Sequence, residues 1–240
     1  MKVRFVEEDD PMKIGGMQKV SLIDYPGKIS AILFTQGCNF RCSYCHNPEL
    51  VNPALFQTCL DPKDVLAFLQ TRQGKLDAVT LTGGEPSLHP DLIPFIAQIR
   101  KLGFAVKIDT NGSEPVVLAS LIREKMIDFI AMDVKAPMDQ YPRIVNAQIH
   151  AKDLAESIRI IIASGVAHEF RTTVVKSQLT EEDIIKIAGE IRGAKRYALQ
   201  KYQATKPLDK RFLKEATYPD AFFLKIKQRL ASDIEQVIIR

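Results

Sequence analysis

Three thiols lie within eight residues of one another. Cys38, Cys42 and Cys45 sit in Gly37-Cys38-Asn39-Phe40-Arg41-Cys42-Ser43-Tyr44-Cys45-His46-Asn47-Pro48, a C-x3-C-x2-C spacing. A loop this short wraps three thiolates around one face of a metal centre. Soft thiolates select zinc, copper(I) or iron–sulfur clusters. A closed cluster takes four cysteines, so three local ones leave one iron open to a second ligand. That points to a redox-type enzyme. Structural zinc is the other reading of the spacing, with Cys59 or His46 as fourth ligand. Cys59 is a lone cysteine before a helix cap, which suits a small buried hydrophobe. His46 directly follows Cys45. Its geometry is poor for the same metal and suits hydrogen bonding beside it. The zinc reading carries its own function, a nucleic-acid or protein adaptor. The lysines are scattered and form no basic stripe of the kind nucleic acid requires.

Other polar residues fall where chemistry needs them. Thr82-Gly83-Gly84-Glu85-Pro86 contains two glycines that let a ligand approach the backbone, though alone it reads as a strand-to-helix turn. Asp109-Thr110-Asn111-Gly112 ends in a strong turn signal. Asp133 and Lys135 read equally well as an ion pair or as a charged site. Arg171 interrupts an apolar stretch, and a buried arginine needs an anionic partner.

The elements that would position these residues alternate in type. Apolar runs at 29–35, 78–81, 104–108, 127–132, 170–175 and 196–199 read as strands. Amphipathic stretches at 61–70, 92–102, 116–125, 152–164, 180–192 and 221–232 read as helices. Asp61-Pro62 and a Thr-x-x-Asp cap at Thr180 mark two of the helix starts. Gly103 and Gly165 mark two of the ends. A further strand is expected at 237–239, and a Pro-Gly hairpin before the first run. Six strands alternating with helices predict a parallel sheet with right-handed crossovers. Periodicity does not separate a barrel from a doubly wound sheet. The unusual residues at the C-terminal ends of most strands are what a barrel active site requires.

The 240 residues fit one domain, and 46% apolar residues suffice for its core. We expect residues 1–14 to form an N-terminal segment, 15–205 the core and 206–240 a C-terminal helical extension. Net charge is +4, too mild to indicate nucleic acid. Clustered cysteines indicate a reducing compartment. The charged N-terminus lacks the apolar core of a signal, and no run reaches membrane-spanning length. A cytoplasmic protein with no membrane or nucleic-acid partner is expected.

Cys38-x3-Cys42-x2-Cys45 resembles the signature of the radical S-adenosylmethionine superfamily. The resemblance implies a partial (β/α)6 barrel of TIM type, α/β in class, with cluster and cofactor at the C-terminal ends of the strands. It implies one [4Fe–4S] cluster held by Cys38, Cys42 and Cys45, with S-adenosylmethionine on the fourth iron. Phe40 matches the usual aromatic position and Tyr44 the residue beside adenine. Gly83, Gly84 and Glu85 match the glycine motif that holds the cofactor's amino group. Asp109, Thr110 and Asn111 resemble a segment of glycyl-radical activating enzymes that lines the cofactor and helps bind a monovalent cation. In the same enzymes, Asp133 and Lys135 resemble a pair whose lysine neutralises the cofactor carboxylate, and Arg171 falls on its carboxylate or ribose.

The block from Val20 through Asp24-Tyr25-Pro26-Gly27-Lys28 to Pro48 resembles the same branch, most of all the activating protein of anaerobic ribonucleoside-triphosphate reductase. A glycyl-radical protein substrate and a flavodoxin or ferredoxin donor follow from that likeness. The second branch implied is a small-molecule enzyme similar to 7-carboxy-7-deazaguanine synthase. Two features depart from pattern or carry none. Leu199-Gln200-Lys201-Tyr202-Gln203 lacks the histidine some relatives carry after the sixth strand, and residues 137–148 show no assignable motif.

Overall fold

The computed structural model describes residues 12–240; residues 1–11 of the expected N-terminal segment lie outside them. One eight-stranded sheet runs in sequence order from β1 (Ile14–Tyr25) through β2 (Lys28–Thr35), β3 (Ala78–Gly83), β4 (Ala105–Thr110), β5 (Phe129–Asp133), β6 (Ala167–Val174) and β7 (Arg196–Lys201) to β8 (Gln236–Ile239). All neighbours from β2 onward pair in parallel. β1 alone is antiparallel, joined to β2 through Pro26-Gly27 with Tyr25 opposite Lys28. Proline then glycine at the two central positions suits a tight turn. The six strands β2–β7 are the expected partial barrel, extended at each side by one strand. The stretch 206–240 supplies a helix and, at Gln236–Ile239, the further strand expected there.

The helices are α1 (Pro48–Val51), α2 (Pro62–Gln70), α3 (Leu92–Lys101), α4 (Pro115–Arg123), α5 (Tyr141–Val145), α6 (Ala151–Ala163), α7 (Glu181–Glu190) and α8 (Asp220–Leu230). Local chemistry sets their starts. The Asp61 side chain accepts from Lys63 N–H at the head of α2. Thr180 and Asp183 form a reciprocal capping box on α7. α3 buries Leu92, Phe95, Ile96 and Ile99, a 3.6-residue stripe turned to the sheet. α5 falls in the segment whose sequence showed no motif. Among the described residues no helix is long and apolar enough to cross a membrane.

Strand alternation separates two environments. Leu33, Val79, Leu81, Val106, Ile108, Ile130, Met132, Phe170 and Leu199 belong to the main apolar core. The opposite face turns into the barrel. Tyr25, Ala78, Phe129 and Ala131 form a small separate apolar cluster there, with the Tyr25 and Phe129 rings 5.8 Å apart. Nearer the C-terminal ends, the same face carries Thr82, Asp109, Asp133, Arg171, Thr173 and Gln200 around a cavity.

Candidate active site

The cavity has a volume of about 240 Å³. Every residue that the resemblance assigns to the cluster or cofactor lines it, from the three cysteines through the Gly83-Gly84-Glu85 turn to Arg171. Cys59 does not; its thiol donates to Gln36 Oε1 at 3.4 Å. His46 does, but its Nε2 donates to the Gln203 carbonyl at 2.7 Å and its ring stacks on Tyr202.

The cysteine loop has little regular structure and is held by distant segments. Arg41 N–H donates to Val145 O at 2.7 Å. Asn146, just after α5 in a left-handed conformation (φ 47°), donates its side-chain amide to Arg41 O at 3.1 Å and Ser43 Oγ at 3.0 Å. Leu208 N–H donates to Cys45 O and Asp209 N–H to Ser43 O. Within the loop, Arg41 clamps the carbonyls of Cys38 and Phe40 at 2.6 and 2.7 Å. Phe40 is buried and meets Tyr141 edge-on. Cys38 Sγ accepts from Phe40 N–H at 3.4 Å and from the Asn111 side-chain amide at 3.9 Å.

Burial pushes the Cys38 thiol up to about 11, with the nearby Glu85 adding to it, and burial pushes Cys42 up to about 12. Cys45 moves the same way for the same first reason. Such thiols give up their protons when a metal takes their place. Among the described residues no three His, Cys, Asp or Glu side chains meet around a single-ion position. A cluster asks less of them, one thiolate at each of three corners. Three thiols lining a single cavity fit that donor set.

The two glycines line the cavity and also have a structural job in the chain itself. A Cβ on Gly84 would stand 1.9 Å from the Gly37 carbonyl oxygen, and one on Gly83 (φ 112°) 2.5 Å from Thr35 N. The backbone they admit at close range is therefore the chain itself, where it enters the cysteine loop. Hydrogen bonds from Gly84 N–H to Thr35 O and from Glu85 N–H to Gly37 O close that contact. Gly84→Ala is expected to cost about 1–3 kcal/mol through overpacking, roughly 2–12 °C in Tm for a chain this long. It should also lower the iron bound per chain. Gly16→Ala, whose Cβ would meet only Phe34 at 3.9 Å, is the control that should change neither. Thermal unfolding and iron analysis check both.

Glu85 is fully buried, and its carboxylate points inward to the protein. It accepts from Ser87 N–H (3.1 Å) and hydroxyl (2.5 Å), the Thr110 hydroxyl (2.8 Å) and Asn111 N–H (2.6 Å). Burial outweighs those donors and lifts its pKa above the ordinary range. Glu85 and Thr110 thus tie the end of β3 to the end of β4, and Thr110 also accepts from Gly112 N–H.

Below them runs a row of charges. Arg171 on β6 donates from Nη1 to Asp109 Oδ2 at 3.0 Å and from Nε to Asp133 Oδ1 at 2.7 Å. Lys135 reaches Asp133 Oδ2 at 3.2 Å. Lys107 pairs with Asp109 Oδ1. Burial opposes the charge on both aspartates, yet Arg171 outweighs it, aided by Lys107 at Asp109 and Lys135 at Asp133. Both carboxyls sit below their usual range. Burial alone would lower the pKa of Lys135, but Asp133 and Tyr44 carry it well above normal. Thr173 and Gln200 complete the wall on β6 and β7.

Sequence reading missed Lys107, Thr173 and Gln200 as site residues. Lys107 had a visible signal, a lone charge inside an apolar strand, the same argument that exposed Arg171. Thr173 had a weaker one, since it lies two residues beyond Arg171 on the same strand face.

Known proteins share this arrangement of sequence and fold. The sequence profile described as "Radical SAM superfamily" matches residues 32–191. A Methanocaldococcus jannaschii protein, provisionally named a glycyl-radical enzyme activating enzyme, is 36% identical over 95% of both chains. The pyruvate formate-lyase-activating enzyme of Clostridium pasteurianum is 28% identical over 75% of this chain and 76% of its own. A 7-carboxy-7-deazaguanine synthase of Methanopyrus kandleri is 31% identical over 53% and 62%. Among solved structures, Streptococcus suis SuiB bound to S-adenosylmethionine superposes with TM-score 0.67 at 15% identity, over 87% of this chain and 51% of that one. QueE from Escherichia coli superposes with TM-score 0.54 at 18% identity, over 95% and 93%. A profile spanning most of the barrel and a full-length relative at this identity agree with the three-thiol cavity at the C-terminal end of the sheet. The chain belongs to the radical S-adenosylmethionine superfamily, enzymes that work with a [4Fe–4S] cluster and S-adenosylmethionine, and it is homologous there to the glycyl-radical activating enzymes.

Proposed function

We propose that this chain activates a glycyl-radical protein, and that the protein is anaerobic ribonucleoside-triphosphate reductase. The observation that carries the activating reading is likeness over 95% of both chains to a relative named for that activity. The Asp24-Tyr25-Pro26-Gly27-Lys28 turn supports the choice of partner. Cys38, Cys42 and Cys45 would hold the cluster. Lys135 and Arg171 would face the carboxylate of the methionine moiety, and the backbone at Gly83-Gly84 its amino group. Tyr44 and Phe40 would flank the adenosine. The two groups would supply the radical chemistry: one electron from a flavodoxin- or ferredoxin-class donor would break the C5′–S bond of S-adenosylmethionine with release of methionine, and the 5′-deoxyadenosyl fragment would take one hydrogen atom from a glycine α-carbon of the partner, leaving 5′-deoxyadenosine and the glycyl radical.

The protein's own contribution is orientation and exclusion of water, since the hard chemistry is the cofactor's. The charge row holds the cationic face still, and the apolar cluster around Tyr25 and Phe129 plugs the barrel beneath it. The sheet ends at β1 on one side and β8 on the other. An open sheet leaves the mouth of the cavity room for a protein loop.

The test mixes the anaerobically reconstituted enzyme, reductant and S-adenosylmethionine with the anaerobic reductase of the same organism. We expect a glycyl-radical signal by electron paramagnetic resonance that rises with added enzyme. The deazaguanine synthase relatives support a second reading. No radical on the reductase, together with formation of 7-carboxy-7-deazaguanine from a small-molecule substrate, would establish that one instead.

A further inference from the structure

Two carboxylates facing one cofactor cavity, Asp109 and Asp133, are the kind of oxygen donors that hold a dissolved monovalent cation. Here they do not fit one. Asp109 Oδ1 is taken by the ammonium of Lys107, and Asp109 Oδ2 by Arg171 Nη1 at 3.0 Å and the Thr82 hydroxyl at 3.1 Å. Asp133 Oδ1 is taken by Arg171 Nε at 2.7 Å, and Oδ2 by Lys135 at 3.2 Å. Each carboxylate oxygen already has a cation tethered to the chain. Counted along the row, Lys107, Arg171 and Lys135 are three cations against two anions.

Lys107 is the member of the row furthest from solvent, with 3% of its side chain exposed. It stands in register with Thr80 on β3 and Phe129 on β5, inside the barrel. A charge placed there is costly unless its partner is fixed. An apolar side chain would fill the same space without that cost, so the ammonium needs a reason to be there. A sodium or potassium ion drawn to Asp109 would meet the like charges of Lys107 and Arg171.

We propose that Lys107 is a tethered substitute for a dissolved monovalent cation. It is a positioning residue. Through Asp109 and Arg171 it sets Asp133 and Lys135, so the face offered to the cofactor carboxylate keeps its positive charge without a bound ion. The inference concerns cofactor binding and holds whichever substrate receives the radical.

The test is calorimetric binding of S-adenosylmethionine to the unreduced, reconstituted enzyme in choline, sodium and potassium chlorides at one ionic strength. The wild-type affinity should agree across the salts within about twofold, or about 0.4 kcal/mol. Lys107→Met should bind about tenfold more weakly in choline and recover in sodium or potassium, whereas Lys107→Arg should stay near wild type. Wild-type binding that needs sodium or potassium would overturn the proposal, and so would a Lys107→Met variant as tight as wild type in choline. The wild-type arm decides even if Lys107→Met does not fold. Because no partner protein is present, a failed glycyl-radical assay and a failed cation-independence test remain separate outcomes.

Discussion

Replacing Cys38, Cys42 and Cys45 together with alanine will leave a folded protein with no iron, no acid-labile sulfide and no reductive cleavage of S-adenosylmethionine. The expected loss of cleavage is complete, because the three thiolates would be the cluster's entire attachment to the chain. Cys42 is packed into the main core, and the other two lie against its edge. Their loss should therefore trim stability by no more than a few kcal/mol. Near-native circular dichroism beside an absent visible absorption band would separate loss of the cluster from loss of the fold. Cys59→Ala, outside the cavity lining, should keep its full iron. Were Cys59→Ala to lose metal, a fourth protein ligand would be in play and the open iron would not exist. Cleavage that survived the triple replacement would remove the basis for the site altogether.

Arg171→Met should be the most damaging single change to stability. Arg171 links two aspartates that come from different strands, and its side chain is 13% exposed. Breaking a buried pair by removing one partner costs about 3–5 kcal/mol. That corresponds to a fall in Tm of roughly 6–20 °C for a chain of this length.

The pH dependence carries a sign. The native carboxyls of Asp109 and Asp133 are held below their unfolded value of about 4. Their stabilising contribution is complete above that value and is lost as pH falls through the lowered native values. Without Arg171, the leading favourable partner of both, the native values rise and less of this contribution exists at neutral pH. The gap between wild type and variant should therefore be widest near pH 7 and close as the solution is acidified through the wild-type values. Denaturant unfolding of the metal-free proteins across that range measures it. A gap that stayed constant with pH would mean that Arg171 acts through packing and not through charge.

Much of this molecule could be read before any coordinates. The strands at 78–81 and 170–175 and the helix from Asp61-Pro62 to Gln70 announce themselves through apolar runs and caps, because their causes lie within a few residues of the backbone they shape. The same is true of the metal chemistry. Three thiols within eight residues belong to one loop however the rest of the chain folds.

The inner wall of the site obeys other rules. Arg171 meets Asp109 across 62 residues of sequence and Asp133 across 38. Those contacts exist because β4, β5 and β6 lie side by side in a register that places Asp133 against Arg171 and Asp109 against Ala131. A slip of one residue would turn each side chain to the other face of its strand. Leu208 reaches Cys45 from still further along the chain. Lys107 interrupts an apolar strand, and only the folded sheet shows that Asp109 is its partner. Adjacent residues write caps, turns and the thiol cluster into local composition, but a buried charge acquires its partner only when non-local strand pairing brings one within reach.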